Sequence, residues 1–368
     1  MNTEIKHKIK KVHGFLETYN IDGMLISRQD NFAWVTGGKR NYVGLATELG
    51  VASLLVTKNK IYVITNNIET PRIKNEELVN FPIKCEFKTY NWWQDYKKQE
   101  IIKKLISRKK IGSDDNSSDT VMLKGEFAKL RYSLTPEEIQ RYKDLGQICG
   151  ISIAQVCKSI KPGYSEYEVA GMMSNLLIKN KIDPVVLLIA SDERIFKYRH
   201  PLPTDKKIDK YVMVVIGARI CGLIASVTRL VYFGKINSEV RRKHSAVVKV
   251  DANMINVSKP QAKVSEILKK AKEIYKETGF ANEWKLHHQG GTTGYAPRDY
   301  KAIPDSNEVL YLNQAVAWNP SITGTKSEDT IIVGVNHPEI ITVSPDWPLL
   351  KVEIDGNTIK RSDILISR

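Results

Sequence analysis

Two helix-start signals in the middle of the chain constrain the fold most. Thr135-Pro-Glu-Glu138 combines a capping threonine, a proline suited to the first helical position and a glutamate that completes a capping box. A long helix should run from there to about Ile160 and stop at Lys161-Pro-Gly163. Ser165-Glu-Tyr-Glu168 repeats the capping box and predicts a second helix immediately afterwards.

The part of the chain ahead of this helical pair has the pattern of a small α/β domain. Residues 5–19 carry apolar side chains at helical spacing, and a short strand is predicted at 23–27. Strands at 51–56 and 60–64 flank a tight Lys-Asn turn, which predicts a hairpin. Helix, strand and helix should then follow between about residues 70 and 107. This order favours a compact domain with a mixed sheet.

A polar, turn-rich stretch at 113–119 marks a loop close to the domain boundary. We therefore predict two domains in this chain of 368 residues, at 1–130 and 131–368. Beyond the helical pair, strands alternate with two further helices, near 238–257 and 265–278. The fold class expected from this order is α/β (α+β).

The net charge of +15 raises the question of nucleic-acid binding. The basic residues are dispersed along the chain without a Lys/Arg block or an arginine-aromatic repeat, so we favour a lysine-rich solvated surface and expect no nucleic-acid partner. Such a field can still attract small anionic substrates. No apolar run approaches the roughly 20 residues of a membrane span, the N-terminus lacks a signal-peptide pattern, and the cysteines are few and scattered, so we expect a cytoplasmic protein.

Five motifs in order resemble the creatinase/Xaa-Pro aminopeptidase superfamily. Leu134-Thr-Pro-Glu-Glu-Ile139 and Lys161-Pro-Gly-Tyr-Ser-Glu166 are similar to the entry of its catalytic domain. The other three are Gly217-Ala-Arg-Ile-Cys-Gly222 with Ser226-Val-Thr-Arg229, His287-His-Gln-Gly290 and Gly324-Thr-Lys-Ser-Glu-Asp329. The resemblance covers about 230 residues and implies a pita-bread catalytic domain at 131–368, a creatinase-type N-terminal domain at 1–130 and a homodimer.

The resemblance also identifies where metal ligands would stand. The metallopeptidases of this superfamily hold two divalent ions with two Asp, one His and two Glu. In this chain the first four positions fall on Val215, Ser226, Gly291 and Asn319, and only the last, Glu328, is a carboxylate. A dinuclear site needs several anionic oxygens to offset about four positive charges. We therefore expect neither metal nor another cofactor.

Three further positions resemble creatinase, the metal-free member. The resemblance places histidines at His200 and His287 and an arginine at Arg298, as in creatinase. Creatine itself is a doubtful substrate, because the acidic positions of a guanidinium site fall on Ser226 and Asn319.

We assign roles from these positions. His200 is the candidate general acid/base, with His287 and Glu328 assisting, and Arg298 is the carboxylate clamp. The other candidate substrate-binding residues are Tyr295, Asn319, Ser226 and Arg40, the last in a glycine-basic loop that could reach a partner's pocket; Trp318 is a further candidate for the pocket wall. On a regular strand the adjacent His287 and His288 point to opposite faces, so we expect His287 alone to face the pocket and His288 to have a structural role. Each of these residues also has an ordinary alternative, in core packing or on the surface.

Three functions remain open from the sequence. The first is a metal-independent hydrolase or lyase that acts on a C–N bond of a small carboxylate-bearing substrate. The second is a catalytically inactive binding protein on a peptidase fold, since fold does not decide function. The third is an Xaa-Pro aminopeptidase or dipeptidase, ranked below the first because four of the five ligand positions lack a ligand of the expected type.

Overall fold

A computed structural model describes residues 2–107 and 109–367 of the protein. The chain separates into two compact units. The first contains residues 1–137 and 221–223, and the second contains 138–220 and 224–368. The domain boundary after residue 130 stays a prediction.

The N-terminal unit is built around a mixed sheet. Its helices are α1 (Asn2–Thr18), α2 (Gln29–Thr36), α3 (Thr70–Arg72), α4 (Tyr96–Ile106) and α5 (Lys124–Ala128), and its strands are β1 (Gly23–Arg28), β2 (Leu49–Thr57), β3 (Ile61–Asn66), β4 (Cys85–Tyr90), β5 (Ile111–Ser113) and β6 (Val121–Met122). The strand order is β4-β3-β2-β1-β5-β6, with β1, β2 and β3 antiparallel and the outer pairs parallel. The predicted hairpin is confirmed as β2 and β3.

The helix predicted at residues 5–19 is confirmed by α1. Its apolar stripe, which includes Val12 and Leu16, is fully buried, as period-3.6 spacing requires of a helix packed on a core. The short helix α2 was not predicted. It is almost wholly buried, and its Trp34 packs edge-on against Phe127.

The second part of the chain contains longer helices and several small sheets. Its helices are α6 (Pro136–Ser159), α7 (Glu166–Lys179), α8 (Glu193–Lys197), α9 (Ser238–Asn256) and α10 (Val264–Glu277), and its strands are β7 (Asp183–Ser191), β8 (Tyr211–Ile220), β9 (Leu223–Phe233), β10 (Gly290–Thr293), β11 (Ala315–Trp318), β12 (Ser321–Ile322), β13 (Thr325–Lys326), β14 (Asp329–Ile332), β15 (Glu339–Ile340), β16 (Leu349–Ile354), β17 (Asn357–Ser362) and β18 (Leu365–Ser367). Two four-stranded sheets have the orders β18-β9-β8-β7 and β10-β11-β14-β15. Helices α9 and α10 share a buried cluster with β11 and β14, and Trp318 is one of its members.

The predicted helix starts are confirmed. Helix α6 begins at Pro136, and the capping box of α7 is complete. The Glu168 amide donates to Ser165 Oγ at 3.1 Å, and the Ser165 amide donates to the Glu168 carboxylate at 2.5 Å. The predicted later helices correspond to α9 and α10.

A buried ionic network fixes the start of β14. Asp329 accepts from Arg229 at 3.0 Å and from Arg361 at 2.8 Å, and Arg361 also donates to Asp251 at 2.6 Å. All four side chains are almost inaccessible to solvent. Such a network is costly to desolvate but costlier to break, so it holds Glu328, the residue before Asp329, in one place. No helix in the described part of the chain is long and apolar enough to cross a membrane.

Candidate active site in the C-terminal unit

A cavity of about 300 Å³ lies within the C-terminal unit. Strands β7, β8 and β9 and the segments around β10, β11 and β14 supply its walls. Its apolar side is formed by Val186, Leu188, Val215, Ile216 and Ile224, and its polar side by His200, Ser226, His288, Arg298, Asn319, Lys326 and Glu328. Proton carriers, cations and a carboxylate therefore surround one small space.

Glu328 is buried between two cations. Lys326 Nζ lies 2.7 Å from its carboxylate and Arg298 Nη2 lies 3.7 Å away, while Thr228 Oγ1 donates to it at 2.6 Å. Burial alone would raise the pKa of Glu328, but Lys326 and Arg298 hold it below its usual value. With two cations around one carboxylate, this end of the cavity carries a surplus positive charge.

Three imidazoles cluster beside these charges. The Nε2 atoms of His200 and His287 are 3.2 Å apart, and the ring centroids of His287 and His288 are 4.5 Å apart. One ligand-type atom from each of the three rings lies within 4.8 Å of the others. Ser321 Oγ is 3.2 Å from His287 Nδ1 and orients that ring.

The cluster is neutral near pH 7. Burial, followed by the nearby Lys326 ammonium, lowers the pKa of His200, and the same two causes hold the pKa of His287 far below its ordinary value. Burial and then Arg298 lower the pKa of His288 to about 4. A neutral imidazole can accept a proton, so His200, which is exposed to the cavity, has the state required of a general base.

Comparison with known proteins places the chain in a family. The profile of "Metallopeptidase family M24" matches residues 140–343, more than half of the chain. The chain belongs to this family. The "Creatinase/Prolidase N-terminal domain" matches residues 8–141. These matches confirm the predicted superfamily and fold class, a mixed α/β N-terminal domain and a pita-bread C-terminal domain.

Individual relatives are distant but similar over nearly their whole length. The Xaa-Pro dipeptidase of Pyrococcus horikoshii is 24% identical over 357 residues, which cover 92% of this chain and 97% of that protein. The crystal structure of the prolidase from the same organism has a TM-score of 0.77 at 20% identity and covers 92% of this chain and 98% of its own. The N-terminal domain of the FACT complex subunit SPT16 from chickpea has a TM-score of 0.72 at 12% identity, covering 93% and 96%.

The metal positions implied by the M24 resemblance are brought together, but their side chains do not fit a metal pair. Val215, Ser226, Asn319 and Glu328 all line the cavity, and one of the four is a carboxylate. Gly291 in β10 has no space for a side chain, because a Cβ there would lie 2.1 Å from the carbonyl oxygen of Tyr300. The remaining carboxylate is already paired with Lys326.

The two adjacent histidines correct one expectation. Residues 287–289 precede β10 and are not part of a strand, so the alternation of faces in a strand does not apply to them. His288 lines the cavity, contrary to the structural role expected for it. His287, expected to face the cavity, is not among the residues that line it, but it contacts His200 through Nε2. The catalytic role of His287 stays a proposal, now as a neighbour of His200.

Arg298 and Asn319 present unused polar atoms. Arg298 donates from Nη1 to the carbonyl of Pro297 at 2.6 Å, while its Nε has no hydrogen-bond partner among the described residues. The same holds for Asn319 Oδ1, although both atoms are buried. Unsatisfied buried polar atoms are rare in native proteins and indicate a missing ligand or solvent molecule.

Two aromatic residues expected in the pocket lie in the core instead. Tyr295 is buried and donates its hydroxyl to Glu138 at 2.6 Å, and Trp318 is buried with its indole on Ser258 at 2.8 Å. Neither lines the cavity, because each packs inward on its own hydrogen-bond partner. Arg40 belongs to the N-terminal unit, where its Nε pairs with Glu77 at 3.1 Å, so its substrate-binding role stays a proposal.

Two polar residues of the cavity wall, His288 and Lys326, were not predicted there from the sequence. The signal for Lys326 was present in Gly324-Thr-Lys-Ser-Glu-Asp329. In extended backbone, residues two apart share a face, so a cavity that contains Glu328 should contain Lys326 as well. No comparable periodicity marks His288, since its segment is irregular.

Proposed function

We propose that the protein is a metal-independent hydrolase of a C–N bond in a small substrate that carries a carboxylate. The observation that carries this proposal is the single cavity with His200, Arg298 and the cation-paired Glu328 in its walls. His200 acts as general base and then general acid, and Arg298 binds the substrate carboxylate. A lyase acting on the same bond uses the same groups, and the products tell the two apart.

Substrate binding follows from the side chains of the cavity wall. The surplus positive charge around Glu328 attracts a carboxylate, and Arg298 Nη2, which at 3.7 Å is beyond hydrogen-bond distance of Glu328, supplies a donor for it. Charge-assisted hydrogen bonds of this kind are stronger than hydrogen bonds between neutral groups. Asn319 lies in the same wall and gives the cavity an uncharged polar side chain. The apolar wall around Val215 and Ile224 receives a hydrocarbon part.

Hydrolysis can be written with its protons balanced. His200 accepts a proton from water at Nδ1, because its Nε2 is in contact with His287 Nε2 at 3.2 Å. At the same time the water oxygen bonds to the carbonyl carbon, and the carbonyl electron pair moves to its oxygen. Lys326 stabilises that oxyanion electrostatically. As the C–N bond breaks, protonated His200 gives its proton to the leaving nitrogen. His287, 3.2 Å from His200, holds the ring in place.

Replacing His200 tests the proposal. His200→Asn should reduce kcat by about 100- to 10,000-fold, the usual worth of a general acid–base group, with little change in substrate affinity. The assay offers acyl-amino acids and dipeptides to protein dialysed against a chelator, and His337→Asn, at an exposed position, is the control. Equal turnover by wild type and His200→Asn would exclude the mechanism, as would activity that the chelator abolishes. Products that contain oxygen from labelled water distinguish a hydrolase from a lyase.

The comparisons favour a second candidate, an Xaa-Pro dipeptidase, because the relatives from Pyrococcus horikoshii and Pyrococcus furiosus both carry that name. Under this candidate, adding Mn²⁺ to the dialysed protein should produce hydrolysis of Xaa-Pro dipeptides. A binding protein without catalysis is the remaining alternative. In that case ligand affinity should persist in wild type and His200→Asn, with no turnover in either.

A further inference from the structure

A second cavity, which we call the outer groove, shares two histidines with the central cavity. The outer groove has a volume of about 470 Å³, and both His200 and His288 belong to its wall as well as to the wall of the central cavity. His200 and His288 therefore lie between the central cavity and the outer groove. A substrate whose scissile bond lies at His200 can extend in both directions.

The outer groove has an apolar surface. Leu268 and Ala302 form a buried part of its wall, and Trp284 is partly buried beside them. Leu286 and Ile303 are more than half exposed, although both are large and apolar. Exposed apolar side chains that gather around a concavity next to a reactive group are typical of a ligand-binding groove.

The charge of the outer groove is one-sided. Arg199 and Lys285 belong to its wall, and no described residue of that wall is a carboxylate. Glu283 lies close by, but it accepts from Arg199 at 2.6 Å and from the Thr323 amide at 2.8 Å. A substrate ammonium group here would face cations without a free counter-charge, which is unfavourable in a partly desolvated site.

We propose that the outer groove binds an uncharged, apolar acyl group, so that the substrates are N-acylated amino acids rather than dipeptides with a free amino terminus. The inference rests on the proposed function, because it assumes that Arg298 holds the carboxylate in the central cavity. The acyl carbonyl then lies beside His200, and the acyl chain extends over Ile303 towards Trp284. This assignment specifies a substrate class that differs from Xaa-Pro dipeptides by the absence of one positive charge.

Three matched ligands test the assignment by isothermal titration calorimetry at pH 7.5. They are acetylproline, 3-phenylpropionylproline and phenylalanylproline, of which the last two differ by the amino group alone. We expect 3-phenylpropionylproline to bind at least about tenfold more tightly than acetylproline, because it buries a phenyl group. Phenylalanylproline should bind about tenfold more weakly than 3-phenylpropionylproline.

Two substitutions in the outer groove, with one control elsewhere, test whether these differences in affinity arise in the groove. Ile303→Asp should remove the advantage of 3-phenylpropionylproline and leave acetylproline unchanged, whereas Val335→Asp, at another exposed position, should change neither. Lys285→Glu should narrow the gap between phenylalanylproline and 3-phenylpropionylproline. Both groove residues carry exposed or surface-accessible side chains, so folding is preserved, and circular dichroism checks it.

The outcomes separate the two proposals. If acetylproline and 3-phenylpropionylproline bind equally and Ile303→Asp alters neither, the outer groove is not an acyl site and the central-cavity proposal stands. If phenylalanylproline binds as tightly as its deaminated analogue, the uncharged substrate class is wrong. If none of the three ligands binds, or if Arg298→Ala leaves their affinities unchanged, the proposed function itself fails.

Discussion

The charges around Glu328 decide how the central cavity responds to single substitutions. Lys326 and Arg298 share one carboxylate, but Lys326 is the closer partner by about an ångström, at 2.7 Å against 3.7 Å. The two cations therefore have different tasks. Lys326 keeps Glu328 paired in the folded protein, and Arg298, whose Nη2 is beyond hydrogen-bond distance of Glu328, can bind a ligand.

Arg298→Ala should therefore weaken ligand binding more than folding. We expect the Kd of acetylproline to rise about 10- to 150-fold, from the loss of one charge-assisted hydrogen bond worth about 1.5–3 kcal/mol. The free energy of unfolding in urea should change by about 1 kcal/mol or less. Lys326→Met is the contrasting variant and should lose about 3–5 kcal/mol of stability, because it leaves Glu328 buried without its close partner. Equal stability losses in the two variants would contradict this division of tasks.

The histidine cluster predicts the direction of a pH effect on stability. The pKa of His288 is about 4 in the folded protein against about 6.5 for a free imidazole, so the unfolded chain binds more protons between these pH values. The free energy of unfolding should therefore fall as the pH is lowered from 6.5 towards 4. His288 contributes on the order of 2 kcal/mol once partial solvent screening is allowed for. Urea unfolding of wild type and His288→Asn at pH 5 and 7.5 checks this, since the variant should show the shallower dependence.

At the scale of elements, a close approach between α6 and the segment after β15 explains a glycine inside a helix. A Cβ on Gly150 would lie 2.0 Å from the carbonyl oxygen of Val343. Gly150→Ala should therefore cost about 1–3 kcal/mol through overpacking. Gly171, in α7, is the matched control, because it is exposed and nothing lies within 4 Å of its added Cβ. Gly171→Ala should stabilise the protein by about 0.5–1 kcal/mol. Thermal unfolding that shows the same sign for both variants would contradict the packing argument.

Elements with local signals were predictable, and elements that depend on distant contacts were not. The capping box at Ser165 and the apolar stripe of α1 gave correct helices because both act within one or two turns. The hairpin of β16 and β17 is an exception, because it was not predicted although Asp355-Gly356 between the two strands is a strong local hairpin signal; both residues have positive φ, as a type I′ turn requires. The prediction that the His288 side chain points away from the cavity was wrong. The direction of this side chain depends on where β10 begins, at Gly290, and tertiary contacts set the boundaries of elements.

At the scale of the whole molecule, family position and site chemistry point in different directions. M24 membership accounts for the order of the elements and for the meeting of Val215, Ser226, Asn319 and Glu328 at one cavity. Family membership does not account for the identities of these side chains or for the cations next to Glu328, which are features of this sequence. The family resemblance was the only basis on which these residues could be predicted to meet at one cavity. No local sequence pattern brings together residues 100 positions apart. The homodimer and the cytoplasmic location stay predictions.

Metal content is the whole-molecule property in which we expect this chain to differ most sharply from the metallopeptidases it resembles. After dialysis, elemental analysis should find far less than one Mn or Co per chain, because Val215 and Gly291 offer no ligand and Lys326 already neutralises Glu328. Zinc requires a second measurement, since three imidazoles lie together at His200, His287 and His288. If the wild type holds zinc and the His287→Asn variant does not, the zinc is bound by the imidazoles. That result would be consistent with the predicted absence of a dinuclear metal pair. A different result would contradict the prediction: two tightly held ions per chain that remain in His287→Asn and are lost in Glu328→Gln. Such ions would form a carboxylate-based pair, and the metal-independent mechanism would have to be abandoned.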